Sequence, residues 1–295
     1  VTDAGLTDAG GEPLTFADFR PGRIRDYMEA MRKADMWVFQ HIPKTAGSSL
    51  SAELARHRGP YRNIHIAYMD RSSSMIDRRD AATQQFIDDL GKEQLRSASG
   101  HLRFENVESI REAIPGVHLF TFVRDPVERV ISEYHYSRSP EHADPAGFIA
   151  RFPTLGDFAR SSEATNKMAV FIAGRRRIAP AHLPAFAFKR FHFIGSQKLY
   201  TPSYRILSTM LWHPTKQKAA LRVSGRKNAA DEVDPEILEI IRDNNRADQA
   251  LYNAVQIAFR NVREELNEIL KEYAEEWRAK NPRADADTDT VDASD

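Results

Sequence analysis

The chain has 295 residues, 41% hydrophobic and 28% charged, enough to bury a full core in one large domain and too apolar for a wholly disordered protein. It contains no cysteine, which excludes a disulfide framework, a thiolate nucleophile and thiolate metal ligands. Net charge is zero, yet Asp285, Asp287, Asp289, Asp292 and Asp295 all follow the last basic residue, Arg283, so the rest of the chain is about five units positive, a bias that suits an anionic ligand without implying nucleic-acid binding.

Residues 1–22, rich in Gly, Asp and Thr, read as a flexible lead-in. Arg23–Lys33 has helical character. Met36–Gln40 is a short apolar run, read as a buried strand that ends at Pro43 and Gly47, and helical periodicity returns from Ser48. Asn63–Met69 reads as a strand and Asp77–Arg96 as a helix. His118–Val123 is the strongest strand, dense in aromatic and β-branched residues. Asp125 and Pro126 then form the N-cap and first turn of a helix running to about Ser137. Phe191–Ile194 is a further strand. Asp234-Pro235 opens a long helical stretch with Ile237, Ile240, Ile241, Leu251 and Val255 on one apolar side. Residues 281–295 read as an acidic disordered tail, which leaves 23–280 as the folded domain. Alternating strands and helices predict an α/β fold with a mainly parallel central sheet flanked by helices. No run approaches the ~20 apolar residues of a membrane span and no signal-peptide core is present, so the expected location is cytoplasmic, with no membrane partner.

Two segments carry chemistry. In Gln40-His-Ile-Pro-Lys-Thr-Ala-Gly-Ser-Ser49, a loop joins a strand to a helix and aims successive N–H groups at one point. Ala46 and Gly47 keep the backbone accessible, Thr45, Ser48 and Ser49 add hydroxyls, and Lys44 adds charge: an anion cradle. It is not the nucleoside-triphosphate loop, in which the Lys comes at the end. In the second segment, Phe122–Tyr134, Arg124 ends a strand and Ser132 lies two turns into the next helix, facing back, so that a guanidinium fork and a hydroxyl converge on a second phosphate. The plainer readings are a surface turn for the first and a surface ion network of Arg124, Asp125 and Arg129 for the second.

Together the two segments resemble the nucleotide-binding motifs of the sulfotransferases that use 3′-phosphoadenosine 5′-phosphosulfate (PAPS), in particular the carbohydrate branch that includes heparan sulfate 2-O-sulfotransferase and its bacterial relatives. His41–Ser49 is similar to that family's 5′-phosphosulfate loop and Arg124–Ser132 to its 3′-phosphate motif. Weaker similarity lies at Ser99-Gly-His101, Asn166–Gly174, Ile194-Gly195 and Asp248–Tyr252. The resemblance implies a P-loop-like three-layer fold, PAPS as donor, PAP as product and no required metal. By position, Lys44, Thr45, Ala46, Gly47, Ser48 and Ser49 would hold the phosphosulfate, Arg124 and Ser132 the 3′-phosphate, and a late loop with Arg226, Lys227 and Asn228 would close over the nucleotide. Lys44 would balance charge on the leaving phosphate.

For the base that deprotonates the acceptor, His101 in Gly-His-Leu-Arg-Phe is the choice, since the family places a catalytic His in a similar Gly-His context and a neutral imidazole suits the task near pH 7. His65 and His135 are the reserves, while the resemblance assigns His41 to loop architecture. Arg175–Arg177 with Lys189 and Arg190 read first as a solvated basic face and only second as an acceptor groove for an anionic glycan. The expected function is sulfuryl transfer to a hydroxyl of a carbohydrate or other small metabolite. The alternatives are a P-loop kinase or nucleotide hydrolase, for which Lys44 is misplaced and an acid is missing after Val123, and a non-catalytic nucleotide-binding protein.

Overall fold

The computed structural model describes residues 14–66, 72–214 and 233–282. Five strands, β1 (Trp37–Gln40), β2 (Tyr61–Ile64), β3 (Ser97–Gly100), β4 (His118–Val123) and β5 (Phe193–Ser196), form one sheet in the order β2-β3-β1-β4-β5. Every pairing is parallel. Helices flank it: α1 (Ile24–Met31), α2 (Gly47–His57), α3 (Met75–Asp89), α4 (Phe104–Ala113), α5 (Pro126–Ser137), α6 (Pro145–Arg151), α7 (Leu155–Ala159), α8 (Lys167–Ala173), α9 (Leu183–Arg190), α10 (Tyr200–Leu211), α11 (Pro235–Asn244) and α12 (Arg246–Lys280). This is the three-layer α/β architecture that the alternation of elements predicts. Among the described residues no helix is long and apolar enough to cross a membrane.

A parallel sheet covered on both faces has strands buried along their length, and β1 and β4 are, with their polar residues Gln40, His118 and Thr121 each in a hydrogen bond to a carbonyl. β4 and α5 fall where the sequence places them, including the Asp125 cap, whose carboxylate accepts from the N–H groups of Val127 and Glu128. The strand expected at Asn63–Met69 is β2, which begins two residues earlier and ends at Ile64. α3 begins at a Ser74–Asp77 capping box and ends at Asp89, well before Arg96.

β3 has no counterpart in the sequence reading, because Ser-Ala-Ser-Gly has no strand propensity. Its small residues fit a crowded place: Ser97 Oγ donates to the carbonyl of Arg58 at 2.7 Å, and Ser99 Oγ is 2.9 Å from Ser51 Oγ on α2. A Cβ on Gly100 would stand 3.0 Å from Ile64.

The long C-terminal stretch is two helices. It breaks at Asn245, because Asn245 and Asn166 cap in place of helix continuity: Asn245 Oδ1 accepts from Asn166 N at 2.8 Å, and Asn166 Oδ1 accepts from Ala247 N at 3.0 Å. The isoleucines therefore serve two cores. Ile241, with Ile237 and Ile240 beside it, packs against Val130, Ile131 and Phe158, while Leu251 and Val255 belong to the main core under the sheet. Residues 14–22, expected in the loose lead-in, are also tied down. Leu14, Phe16 and Phe19 are buried, and Phe16 N donates to the carbonyl of Phe191 at 2.8 Å. Residues 1–13 and the acidic tail from 283 lie outside the described residues.

Candidate active site

Parallel strands deliver all their C-terminal ends to one edge, and ligands of open α/β sheets bind there, where the strand order reverses. Here β1 is central, with β3 on one side and β4 on the other. Gln40 pairs with Gly100 and Phe39 with Phe120, so the three strands finish close together. The loops that leave them carry Lys44, His101 and Arg124. Three residues spread over eighty positions are thus brought to one crevice by register alone.

The loop after β1 is a tight turn. Lys44 and Ala46 both take left-handed backbone conformations, at φ 68° and 79°. Thr45 is buried and its hydroxyl donates to the carbonyl of Ile42 at 2.9 Å, so it shapes the loop and does not offer that proton to a ligand. α2 then starts at Gly47 with no side-chain cap on its first N–H groups, unlike α3, α5, α7 and α11, which are capped by Ser74, Asp125, Thr154 and Asp234. Uncapped N–H groups at a helix start attract an anion. Arg124 reaches across from β4 and donates from Nη1 to the carbonyl of Lys44 at 3.3 Å. Burial first, and then the Arg124 charge, hold the Lys44 ammonium below its ordinary value, against the opposing pull of Glu133. The hydroxyls of Ser48, Ser49 and Ser132 have no hydrogen-bond partner among the described residues.

His41 is part of the loop's framework. Its ring stacks on Phe39 with centroids 5.3 Å apart and lies 4.2 Å from the ring of His101. A Cβ on Gly47 would come within 1.9 Å of that ring, which is why only glycine fits. Gly47→Ala is therefore expected to destabilise the fold by ~1–3 kcal/mol, the usual cost of overpacking, and to weaken anion binding at the loop. Urea denaturation of the variant checks the first effect, and a midpoint equal to wild type would refute it.

His101 Nδ1 lies 2.8 Å from the carbonyl of His41. A ring N–H facing a carbonyl fixes the tautomer, with the lone pair on Nε2. Burial pushes the imidazole below 6.5, against the hydrogen bond to His41. His101 is in the wall of two cavities: one of about 520 Å³ with Pro43, Arg79, Arg103, Lys167 and Phe171, and one of about 280 Å³ with Ser48, Asn63, His65 and Ser99. His65 therefore shares a cavity with His101, whereas His135 is exposed on α5 and lines neither. Burial holds His41 and His192 well below the ordinary histidine range as well. Between their folded values and 6.5 the unfolded chain binds protons that the folded chain does not, so stability rises with pH across that window. The melting temperature is expected to fall as pH drops from 7 to 5, and a flat profile would contradict it.

Further residues to which the sequence reading gave no role shape the site. Gln40 sits buried at the end of β1 and donates from Nε2 to the carbonyls of Leu102 at 3.0 Å and Phe171 at 2.8 Å, which ties the His101 loop to α8. The Lys44 ammonium lies 4.1 Å from the centroid of the Tyr136 ring, one face of which covers it. Glu133, next to Ser132, binds Arg129 and Lys167. These polar side chains inside apolar elements have no sequence signature of their own. The basic run is largely a solvated face: Arg175, Arg176, Arg177 and Lys189 are exposed, Arg176 lying 3.7 Å over the Phe104 ring, whereas Arg190 is buried, pushed down to about 10 by burial and paired with Glu108 at 2.8 Å. Arg226 and Lys227 lie outside the described residues. No group of three or more His, Asp or Glu among the described residues is arranged to hold a metal.

No curated protein matches this chain. Against protein families, residues 30–253 match the sulfotransferase family. That span takes in all five strands, the two segments Gln40–Ser49 and Phe122–Tyr134, and His101. On this match the chain belongs to the sulfotransferase family, and its activity is that of a transferase.

Proposed function

We propose that the protein moves a sulfuryl group from PAPS to an acceptor hydroxyl of a small molecule or glycan, with His101 as general base. The observation that carries this reading is the pairing of two cations, Lys44 and Arg124, at the ends of adjacent parallel strands beside the uncapped start of α2. The residues fit a donor with two separated phosphates: two cations, a helix N-terminus and three serine hydroxyls without partners among the described residues. When bound, PAPS supplies an activated sulfuryl group on a good leaving phosphate.

The chain's own groups do the rest. The α2 N–H groups, Lys44, Ser48 and Ser49 hold the phosphosulfate, and Ala46 and Gly47 let the backbone approach it. Thr45 keeps the turn in shape. Arg124 and Ser132 hold the 3′-phosphate. His101 takes the acceptor proton on Nε2 as the acceptor oxygen bonds to sulfur, and Lys44 balances the negative charge that collects on the phosphate oxygen as its bond to sulfur breaks. The proton ends on His101 and the electron pair on PAP. Tyr136, by covering Lys44, limits where the ammonium can go.

The test is thermal melting with PAP in the absence of added metal. Ligand at about 100 times its Kd is expected to add roughly 2.7 kcal/mol of stability. An unchanged melting temperature at millimolar PAP would remove the donor assignment, and mass spectrometry for the gain of one SO₃ on acceptors tests the transfer itself.

A further inference from the structure

The larger cavity beside His101 encloses about 520 Å³, a size suited to one compact ligand. Its lining combines apolar Met75, Val170 and Phe171 with cationic Arg79, Arg103 and Lys167.

The charges differ in what already engages them. Lys167 holds Glu133, and the cavity's carboxylate, Glu163, holds Arg151. Arg79 donates from Nε to the carbonyl of His101 at 2.7 Å, which fixes that guanidinium beside the base. Arg103 is the exception. Among the described residues its guanidinium makes no ion pair and no hydrogen bond, and its Nε is buried without an acceptor. A guanidinium that lines an open cavity and has no acceptor within the fold is suited to an oxyanion from outside. The Arg79 and Arg103 guanidinium carbons stand 6.0 and 5.9 Å from the Phe171 ring centroid, so charge and apolar surface meet at one place. The adjoining cavity of about 300 Å³, across Arg79 and Arg103, holds Asp80 and Glu105 as well as Arg175. Its two carboxylates disfavour a long polyanion there.

Resting on the sulfuryl-transfer reading above, we propose that the acceptor is a compact hydroxylated acid. Arg103 binds its oxyanionic group, its apolar body packs on Met75, Val170 and Phe171, and its hydroxyl points to His101. Arg103 is then the residue that selects the acceptor, two positions beyond the base that activates it.

The test uses the full chain with PAPS and a panel of hydroxyaryl and hydroxyalkyl carboxylic acids, each paired with its primary amide, which keeps the shape and removes the charge. The acid is expected to exceed its amide in kcat/KM by ~10-fold or more, the worth of one charge-assisted hydrogen bond. In Arg103→Gln that ratio should fall towards one, and in Arg103→Lys part of it should return. Equal rates for acid and amide in the wild type would overturn the proposal. So would an unchanged ratio in Arg103→Gln, or turnover confined to a uronate-containing polysaccharide. PAP-induced stabilisation is measured on every variant. Its absence in the wild type would count against the donor reading, whereas its presence with no acid preference counts against the acceptor proposal alone. If Arg103→Gln does not fold, the wild-type comparison of acid with amide decides.

Discussion

His101→Ala is expected to lower kcat by ~10²–10⁴-fold, the usual contribution of a positioned general base, while leaving PAP affinity nearly intact. The expectation follows from where the ring stands. It occupies the wall shared by two cavities, with Nδ1 turned to the carbonyl of His41 and the lone pair on Nε2. No phosphate contact is proposed for the ring, although Ser48 lines the smaller cavity with it, so the mutation is expected to remove proton transfer more than nucleotide binding. Burial lowers the imidazole below 6.5. It is therefore neutral at pH 7, and activity should be lost as pH falls through a value below 6.5, where the base becomes protonated. That acidic limb should flatten in the mutant. Single-turnover kinetics across pH, with PAP binding measured in parallel, test the assignment. Near-normal turnover would move the search to His65, which shares the smaller cavity. Lost PAP binding would make His101 a support of the nucleotide site.

The largest stability effect is expected at Arg129, whose side chain is 0% exposed. Nη1 donates to Glu133 at 2.6 Å and Nη2 to the carbonyl of Ala164 at 3.0 Å. Burial alone would raise the Glu133 carboxyl, but Lys167 and Arg129 outweigh it and hold it below the ordinary value. Arg129→Ala takes away one of those two cations, orphans a buried carbonyl and leaves a cavity. Breaking a buried pair in this way costs about 3–5 kcal/mol, a large part of the 5–15 kcal/mol typical of a whole domain. Urea unfolding should show a marked drop in midpoint, and a loss under ~1 kcal/mol would mean that Lys167 alone satisfies Glu133. Because Lys167 lines the cavity of about 520 Å³ beside His101 and Glu133 adjoins Ser132, turnover should fall with stability. Arg129→Lys is expected to retain part of both.

Several features of this protein follow from local sequence. The apolar runs of β1 and β4, the Asp125-Pro126 start of α5 and the loop of Lys44 to Ser49 are set by residues within a few positions of one another, since propensity, capping and turn chemistry act over that range. These were enough to indicate an α/β sheet and two candidate anion-binding ends. Other features depend on partners far along the chain. Ser-Ala-Ser-Gly is a strand only because β1 and β2 pair with it and α2 packs over it. The break at Asn245 depends on Asn166, and the apolar face that looked continuous divides between two cores for that reason. Gln40, Tyr136, Arg129 and Glu133 are ordinary residues in the sequence, and their place at the site comes from contacts that only folding creates. The crevice itself is of this second kind. Lys44, His101 and Arg124 are chemically suggestive wherever they stand, but parallel register and the strand order β3-β1-β4 bring them to one edge, because strand pairing acts between segments that the chain alone leaves unrelated.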